Sequence, residues 1–443
     1  MKFIRKLIRS DSLCPVRPVP EGQLEQKITA DSIDITHSDP PSEKPVFDPG
    51  DKGYIQDPYP LFSTLRQHFP VFRAPSGAWV ISRYEDVSAG LVDKRLGNAP
   101  SPYAVLHERN SEKYICADVA SNIIPFMDPP RHNHPRRMIA RAFHSHLTQN
   151  PPEMKSAALE LIRRHEGVND MEIVSDLGTP FSIGVLCELL GLPLEDQPQL
   201  KAWTEKFFYL FAPMPSEAIR DEVDKALNEF REYLSMQVKE KRAHLQDDLI
   251  CKMMTAEDQG VMLSGQELID NTMLLFADGV ENVDRGLGNM MHTLLAHPQS
   301  WAEVKQNPEL IPQVVEEALR YESPAQFVGK VALEDIDWRG QVIKQHSGVL
   351  LMLASANRDP EKFEQPNTFN IHRNPKDHLA FGRGRHSCVG AHLVKLQLQS
   401  ALEALVESVP DMQLSHSSVT WEPRLAHRWI SSVRVRLTPE ENI

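Results

Sequence analysis

A glycine-rich segment near the C-terminus, Phe381 to Gly390, carries the residues best suited to metal chemistry. It reads Phe-Gly-Arg-Gly-Arg-His-Ser-Cys-Val-Gly, with its cysteine at position 388. The glycines permit tight turns and leave room for a flat macrocycle to approach the backbone. The residues after Cys388 have helical character, so the sulfur should lie at a helix N-terminus, where free amides and the helix dipole favour a thiolate. These features suit a cysteine that binds the iron of a porphyrin, and an inert core cysteine is the alternative.

A second unusual segment is a long helix predicted between Ser264 and Pro298, roughly 30 residues or about 45 Å. It begins with a capping box, in which the side chains of Ser264 and Glu267 each bond a backbone amide, and Pro298 stops it. Its middle, residues 278–286, places two glycines and three acidic residues within an apolar pattern. Local conflicts of this kind tend to lie at functional sites.

The remaining pattern predicts a mainly α fold with small β-sheets. Most of residues 135–325 have helical periodicity, and short β-favouring segments lie at residues 78–82, 348–352 and 433–437. Residues 1–45 are polar and Pro-rich, which predicts a flexible N-terminal arm, and residues 46–443 are predicted to form a single domain. The first ten residues are basic and could touch an anionic membrane surface, with a mobile tail as the alternative.

Composition narrows the class of protein. The chain has 443 residues and a formal net charge of -13, which argues against nucleic acid as a general partner. Its five cysteines are too few and too scattered for a disulfide framework, which favours a reducing, cytoplasmic compartment. No run of about 18 apolar residues is present, so no transmembrane segment is predicted.

The loop around Cys388 matches the pattern F-G-x-G-x-H-x-C-x-G at every fixed position, and in this it resembles cytochrome P-450 enzymes of the soluble bacterial type. The resemblance extends from about Asp57 to the C-terminus and includes the E-x-x-R motif at Glu317 and Arg320. It implies the cytochrome P-450 fold, with heme b between the long oxygen-binding helix and the helix after the cysteine loop. It also implies that Cys388 is the iron ligand, whose electron donation promotes O–O cleavage.

The resemblance further assigns the heme contacts. His132 and Arg136 are four residues apart and would face the same side of a helix start, where they could bind the propionates. Lys330 stands where the family more often has Arg; it keeps the charge but loses bidentate geometry. The resemblance carries over six contacts in all: His132, Arg136, Lys330, His386, Phe381 and Gly382.

The long helix departs from the family pattern, in which an acid is followed by threonine. This chain has Glu281 followed by Asn282, and these two are the candidate catalytic residues. Cleaving dioxygen consumes two protons, and an amide is a poor proton donor compared with a hydroxyl. Asn282 could hold a water that carries protons from Glu281, the substrate could supply its own hydroxyl, or the enzyme could carry out coupling or desaturation. A tolerated local variant is the remaining interpretation.

The resemblance implies a monooxygenase that uses O2 and a largely apolar small-molecule substrate, by hydroxylation or epoxidation, in specialised metabolism. No flavin or nicotinamide fingerprint is present, so electrons should come from a ferredoxin and ferredoxin reductase. The sequence near the cysteine loop is basic, which suits an acidic partner, although a solvated basic face is the alternative. Oxidative coupling or desaturation is the alternative reaction, and a non-catalytic heme-binding protein is the alternative class.

Overall fold

The computed structural model describes residues 45–99, 105–106, 110, 113–212, 216–409, 411–416 and 419–437. Nearly all of the predicted N-terminal arm, residues 1–45, lies outside these ranges. Helices dominate the described residues and the sheets are small, so the predicted fold class is confirmed. The α-helices of the described residues are α1 (Lys52–Gln56), α2 (Tyr59–His68), α3 (Tyr84–Val92), α4 (Ile115–Asn122), α5 (Asn133–Gln149), α6 (Met154–Arg163), α7 (Thr179–Leu190), α8 (Gln197–Phe207), α9 (Glu217–Ala243), α10 (Leu249–Thr255), α11 (Gly265–Leu295), α12 (Pro298–Gln306), α13 (Ile311–Tyr321), α14 (Leu353–Ala356) and α15 (Ala391–Ser408).

The strands are short, and the three predicted β segments correspond to β2, β10 and β12. In the described residues the largest sheet has five strands in the order β1-β2-β10-β7-β3. A three-stranded sheet has the order β11-β12-β4, and β5-β6 and β8-β9 form two-stranded ribbons. The strands are β1 (Val71–Arg73), β2 (Trp79–Ile81), β3 (Leu96–Gly97), β4 (Asp170–Glu172), β5 (Glu257–Asp258), β6 (Val261–Met262), β7 (Val328–Ala332), β8 (Ile336–Trp338), β9 (Gln341–Ile343), β10 (Gly348–Leu351), β11 (Gln413–Leu414) and β12 (Arg434–Arg436).

Helix α11 is the long helix predicted from the sequence, and it contacts α7, α8, α9, α13 and α15. The capping box at its N-terminus is present, and the helix has 31 residues. Its glycines allow close packing: a Cβ at Gly288 would lie 2.6 Å from a methyl carbon of Ile430. Its buried acid Asp284 accepts a hydrogen bond from the Thr179 hydroxyl at 2.9 Å. Tertiary contacts therefore compensate for part of the conflict seen in the sequence.

The E-x-x-R motif lies on α13 and is fully buried. The Arg320 guanidinium donates two hydrogen bonds to the Glu317 carboxylate, at 2.7 and 2.8 Å, and both side chains have 0% exposure. Arg320 also donates to the carbonyl oxygens of Asn357 and Pro366, each at 2.8 Å. The pair thereby holds two loop segments that precede the cysteine loop, which indicates a structural role for it.

Hydrogen bonds and ion pairs of side chains connect α4 to α9 and α11. The Asp224 carboxylate of α9 accepts hydrogen bonds from the first two backbone amides of α4. Arg231 of α9 forms ion pairs with Asp118 of α4 and with Asp270 of α11, each at 2.6 Å. Asn271 of α11 accepts a hydrogen bond from the backbone amide of Ile124, just after α4. These contacts join the three helices on one side of the cavity described below.

One segment of the described residues, Ile173–Leu190, has the length and apolar composition to cross a membrane. It comprises a π-helical turn followed by α7, and 83% of it is buried inside the protein. Its apolar character is accounted for by core packing.

Candidate functional site

A cavity of about 310 Å³ lies where α11, the cysteine loop, α15, α5 and β7 meet. Helix α11 contributes Asp278, Gly279 and Asn282 to its wall, and the cysteine loop contributes residues 381–383 and 386–390. The structure therefore brings together segments that are more than 100 residues apart in the sequence. Of the nine predicted site residues, eight line this cavity: His132, Arg136, Asn282, Lys330, Phe381, Gly382, His386 and Cys388.

The cysteine loop folds tightly around its sulfur. The backbone amide of Cys388 donates to the carbonyl oxygen of Phe381 at 2.9 Å. Gly382 and Gly384 adopt φ angles of +63° and +75°, which side chains rarely allow. A Cβ at Gly384 would also lie 2.8 Å from a methyl carbon of Val92. The glycines of this loop thus serve both its turns and its close packing against α3.

The thiol of Cys388 needs a cation to ionise. Burial raises the pKa of this thiol to about 12, and the Asp278 carboxyl adds to the rise. The amides of Gly390 and Ala391, at the start of α15, lower the pKa, as does Arg136. The helix terminus was predicted to favour a thiolate; it acts in that direction, but burial is the larger effect. A metal ion bound at the sulfur would supply the missing positive charge.

Asn98 joins the predicted basic residues into one cluster. The Lys330 ammonium donates to Asn98 Oδ1 at 2.7 Å, and Asn98 Nδ2 donates to His386 Nε2 at 2.7 Å. The ring of His386 lies 4.2 Å from that of His132, centroid to centroid. Arg136 donates to the carbonyl oxygen of Ser387 at 2.7 Å and so fixes the residue before the cysteine. Sequence reasoning missed Asn98, because nothing in its local sequence links it to residues so far along the chain.

This cluster is rich in donors and positive charge, and the acid beside it is Asp128, whose carboxylate accepts hydrogen bonds from the backbone amide of Asn98 at 2.9 and 3.1 Å. Burial lowers the pKa of His386 to about 2, and Lys330, His132, Arg385 and Arg136 lower it further. Burial and the neighbouring arginines lower the pKa of His132 to about 4. His132 Nε2 is buried and has no hydrogen-bond partner among the described residues. Positive side chains and hydrogen-bond donors that line one part of a cavity are suited to an anionic ligand.

The two candidate catalytic residues occupy different positions on α11. Asn282 lines the cavity and donates through Nδ2 to the Asp278 carboxylate at 2.7 Å. Glu281 is only 3% exposed and is not among the lining residues. Burial, followed by the charge of Asp284, raises the pKa of Glu281 to about 8. The acid that does line the cavity is Asp278, one helical turn before Asn282, and sequence reasoning gave it no role.

The model of the family "Cytochrome P-450" matches residues 61–409. The chain belongs to the cytochrome P-450 family. It is 34% identical over 361 residues to the putative cytochrome P-450 YjiB of Bacillus subtilis, covering 80% of this chain and 88% of that protein. It is 32% identical over 413 residues to the polyketide biosynthesis cytochrome P-450 PksS of the same organism, covering 89% and 100%. The crystal structure of CalO2 superposes with a TM-score of 0.83 at 29% identity, covering 89% of this chain and 99% of that one.

Membership in the cytochrome P-450 family makes this protein a monooxygenase that contains heme b and uses O2 and a small-molecule substrate. The cavity fits that cofactor in two respects. A cation at the Cys388 sulfur would favour its thiolate, and the donors of the Asn98 cluster are suited to anions, which the iron and propionates of heme would supply. When bound, the heme supplies the redox chemistry that activates O2.

The basic face predicted near the cysteine loop is partly neutralised. Lys395 forms an ion pair with Glu316 at 2.6 Å, and Arg137 forms one with Asp258 at 2.6 Å. Arg385 is exposed and has no hydrogen-bond partner among the described residues. The surface beside Cys388 is therefore less basic than its sequence indicates, although Arg385 leaves it with positive charge.

Proposed function

We propose that this cytochrome P-450 inserts one oxygen atom from O2 into a largely apolar small organic molecule, by hydroxylation or epoxidation. The observation that carries this proposal is the apolar lining of the cavity beside Cys388. Aliphatic and aromatic side chains from several elements contribute to it: Ile124, Phe126, Leu186, Phe211, Leu274, Leu275, Phe327 and Val328. Apolar walls with a few placed polar groups are typical of small-molecule sites.

We assign the roles of the site residues from their positions on the cavity wall. Cys388 ligates the iron, and Phe381 and Gly382 contact the macrocycle from the same loop. His132, Arg136, Lys330 and His386 bind the propionates. We further propose that residues 46–443 form a single heme domain.

Asn282 acts at the cavity wall, where its amide oxygen can hold a water. Glu281 serves as a proton reserve behind that wall, because a carboxyl whose burial raises its pKa to about 8 keeps its proton at neutral pH.

Electrons come from a separate ferredoxin and ferredoxin reductase, docked on the basic surface around Arg385. The likeness to a polyketide biosynthesis enzyme supports a role in specialised metabolism. The four cysteines of the described residues are all unpaired, which agrees with a cytoplasmic location.

Reconstitution with a ferredoxin, its reductase and NADPH tests the proposal. Apolar compounds that shift the heme spectrum should be converted to products that contain one atom from labelled O2. The rate of reduction should fall as salt is added, because charge steers the partner. Products of unchanged oxygen content would instead support oxidative coupling or desaturation. That alternative is favoured by one observation, namely that Asn282 replaces a hydroxyl-bearing residue.

Replacing Asn282 with Thr should raise the ratio of product to hydrogen peroxide severalfold. Threonine supplies a hydroxyl that both accepts and donates a proton, and it releases the Asp278 carboxylate from its hydrogen bond. Product and peroxide should be measured against NADPH consumed, with Asn282→Ala as the control that removes the amide without adding a hydroxyl. An unchanged ratio in Asn282→Thr would show that this position does not manage protons.

A further inference from the structure

Asp278 is the one acidic side chain among the described residues that line the cavity. It is half-buried, and its accessible part faces the cavity. It projects from α11 one turn before Asn282, on the same side of the helix. The apolar residues of the same cavity lining include Leu186, Leu274 and Phe211.

The amide nitrogen of Asn282 is already used in hydrogen bonds, so only hydrogen-bond acceptors remain available to a ligand at this point. Its amide nitrogen donates to the Asp278 carboxylate at 2.7 Å and to the Asp278 backbone carbonyl at 3.3 Å. Both partners can only accept, so the nitrogen must point toward Asp278, and the amide oxygen is left without a donor among the described residues. The second carboxylate oxygen of Asp278 is likewise without a donor there. Two acceptors therefore lie side by side on the cavity wall.

The charge of Asp278 is uncompensated. Burial raises the pKa of its carboxyl to about 6, and the hydrogen bond from Asn282 lowers it. The group is thus mostly ionised at neutral pH, and no described cation contributes to this balance. An ionised carboxylate among apolar walls is unfavourable unless a cation pairs with it.

The basic side chains of this region form hydrogen bonds with groups other than Asp278. Lys330 and Arg136 belong to the Asn98 cluster at another part of the wall. Arg285, on the same helix, donates to the backbone carbonyls of Ile430 and Ser431. His427 also lines the cavity, but burial lowers its pKa to about 3, so it is neutral. No described side chain therefore supplies a positive charge to Asp278.

We propose that Asp278 and Asn282 form the recognition site for a protonated amine on an otherwise apolar substrate. An ammonium group supplies both the positive charge and the N–H donors that two adjacent acceptors lack. Phe126 and Phe211, whose rings stack at 5.3 Å, line the same cavity and can pack against the rest of the molecule. This inference rests on the proposed function, in which the cavity is the substrate site.

Binding of a matched set of compounds to the heme-loaded full-length protein tests the site. The probes are 5-phenylpentylamine, its trimethylammonium analogue, which cannot ligate a metal, and uncharged 5-phenylpentan-1-ol. Calorimetry at pH 7 should show the amine binding about tenfold more tightly than the alcohol, with the trimethylammonium analogue, which has the charge but no N–H donor, between the two. Asp278→Asn should remove this preference and leave the affinity for the alcohol nearly unchanged. Asp284→Asn is the matched control, because it removes a buried charge from the same helix outside the cavity lining and should keep the preference.

Equal affinities for cation and alcohol in the unaltered protein would overturn this inference. So would a preference that survives in Asp278→Asn. Neither result would affect the proposed function, which fails separately if no apolar compound is oxygenated by the reconstituted enzyme.

Discussion

Replacing Cys388 with Ser should abolish the red-shifted absorption band of the reduced, carbon monoxide-bound protein. That band requires a thiolate as iron ligand, and a serine hydroxyl would not ionise in this buried site, where burial raises the pKa even of the thiol to about 12. The substitution is nearly isosteric, and it keeps the hydrogen bond that the backbone amide of residue 388 donates to the Phe381 carbonyl oxygen. Loss of the band can therefore be attributed to the ligand rather than to a misfolded loop.

The difference spectrum should be recorded at matched heme content. Cys116→Ser provides the control, since Cys116 is a buried cysteine that does not line the cavity. That variant should keep the band. Retention of the red-shifted band in Cys388→Ser would show that the iron is held by another residue.

Replacing Arg320 with Met should lower the free energy of unfolding by about 3–5 kcal/mol, because it leaves the fully buried Glu317 carboxylate without its principal partner. It also removes donors to the carbonyls of Asn357 and Pro366. Since these loop segments precede the cysteine loop, we expect heme to be lost more readily as well. Urea unfolding followed by circular dichroism measures the first effect, and the heme absorption measures the second.

Two further variants distinguish the causes. Combining Arg320→Met with Glu317→Gln removes the stranded charge and should recover part of the lost stability. Lys344→Met breaks a surface ion pair with Asp335 and should leave unfolding nearly unchanged. If Arg320→Met were as mild as Lys344→Met, the E-x-x-R pair would not have the structural role assigned to it.

The sequence predicted the long helix and the cysteine loop well, because both depend on local signals. The capping box and Pro298 mark the ends of α11, and the loop glycines mark turns that only glycine adopts easily. The place of Asn98 among the predicted basic residues could not be predicted, because it depends on pairing between distant strands. Gly97 of β3 pairs with Val331 of β7, and this register brings Asn98 beside Lys330.

Helical periodicity alone places Asp278 on the same face of the helix as Asn282. Residues four apart share a face, so Asn282 and Asp278 lie together, whereas Glu281 is rotated by about 100° from Asn282. Comparison with the family pattern drew attention to Glu281 and Asn282, which are adjacent in sequence but not on one face. Asp278, the acid that faces the cavity, could therefore have been predicted from its spacing to Asn282.

The hydrogen bonds and ion pairs among α4, α9 and α11 restrict how the cavity can change shape. Ile124 and Phe126 line the cavity just after α4, and α4 is bound to α9 through Asp224 and Arg231. Displacing this part of the wall alone would separate Arg231 from Asp118 or expose the Asp270 pair to water. Binding of a bulkier substrate on this side therefore requires the three helices to shift together. Smaller changes in cavity shape can come from side-chain movements alone.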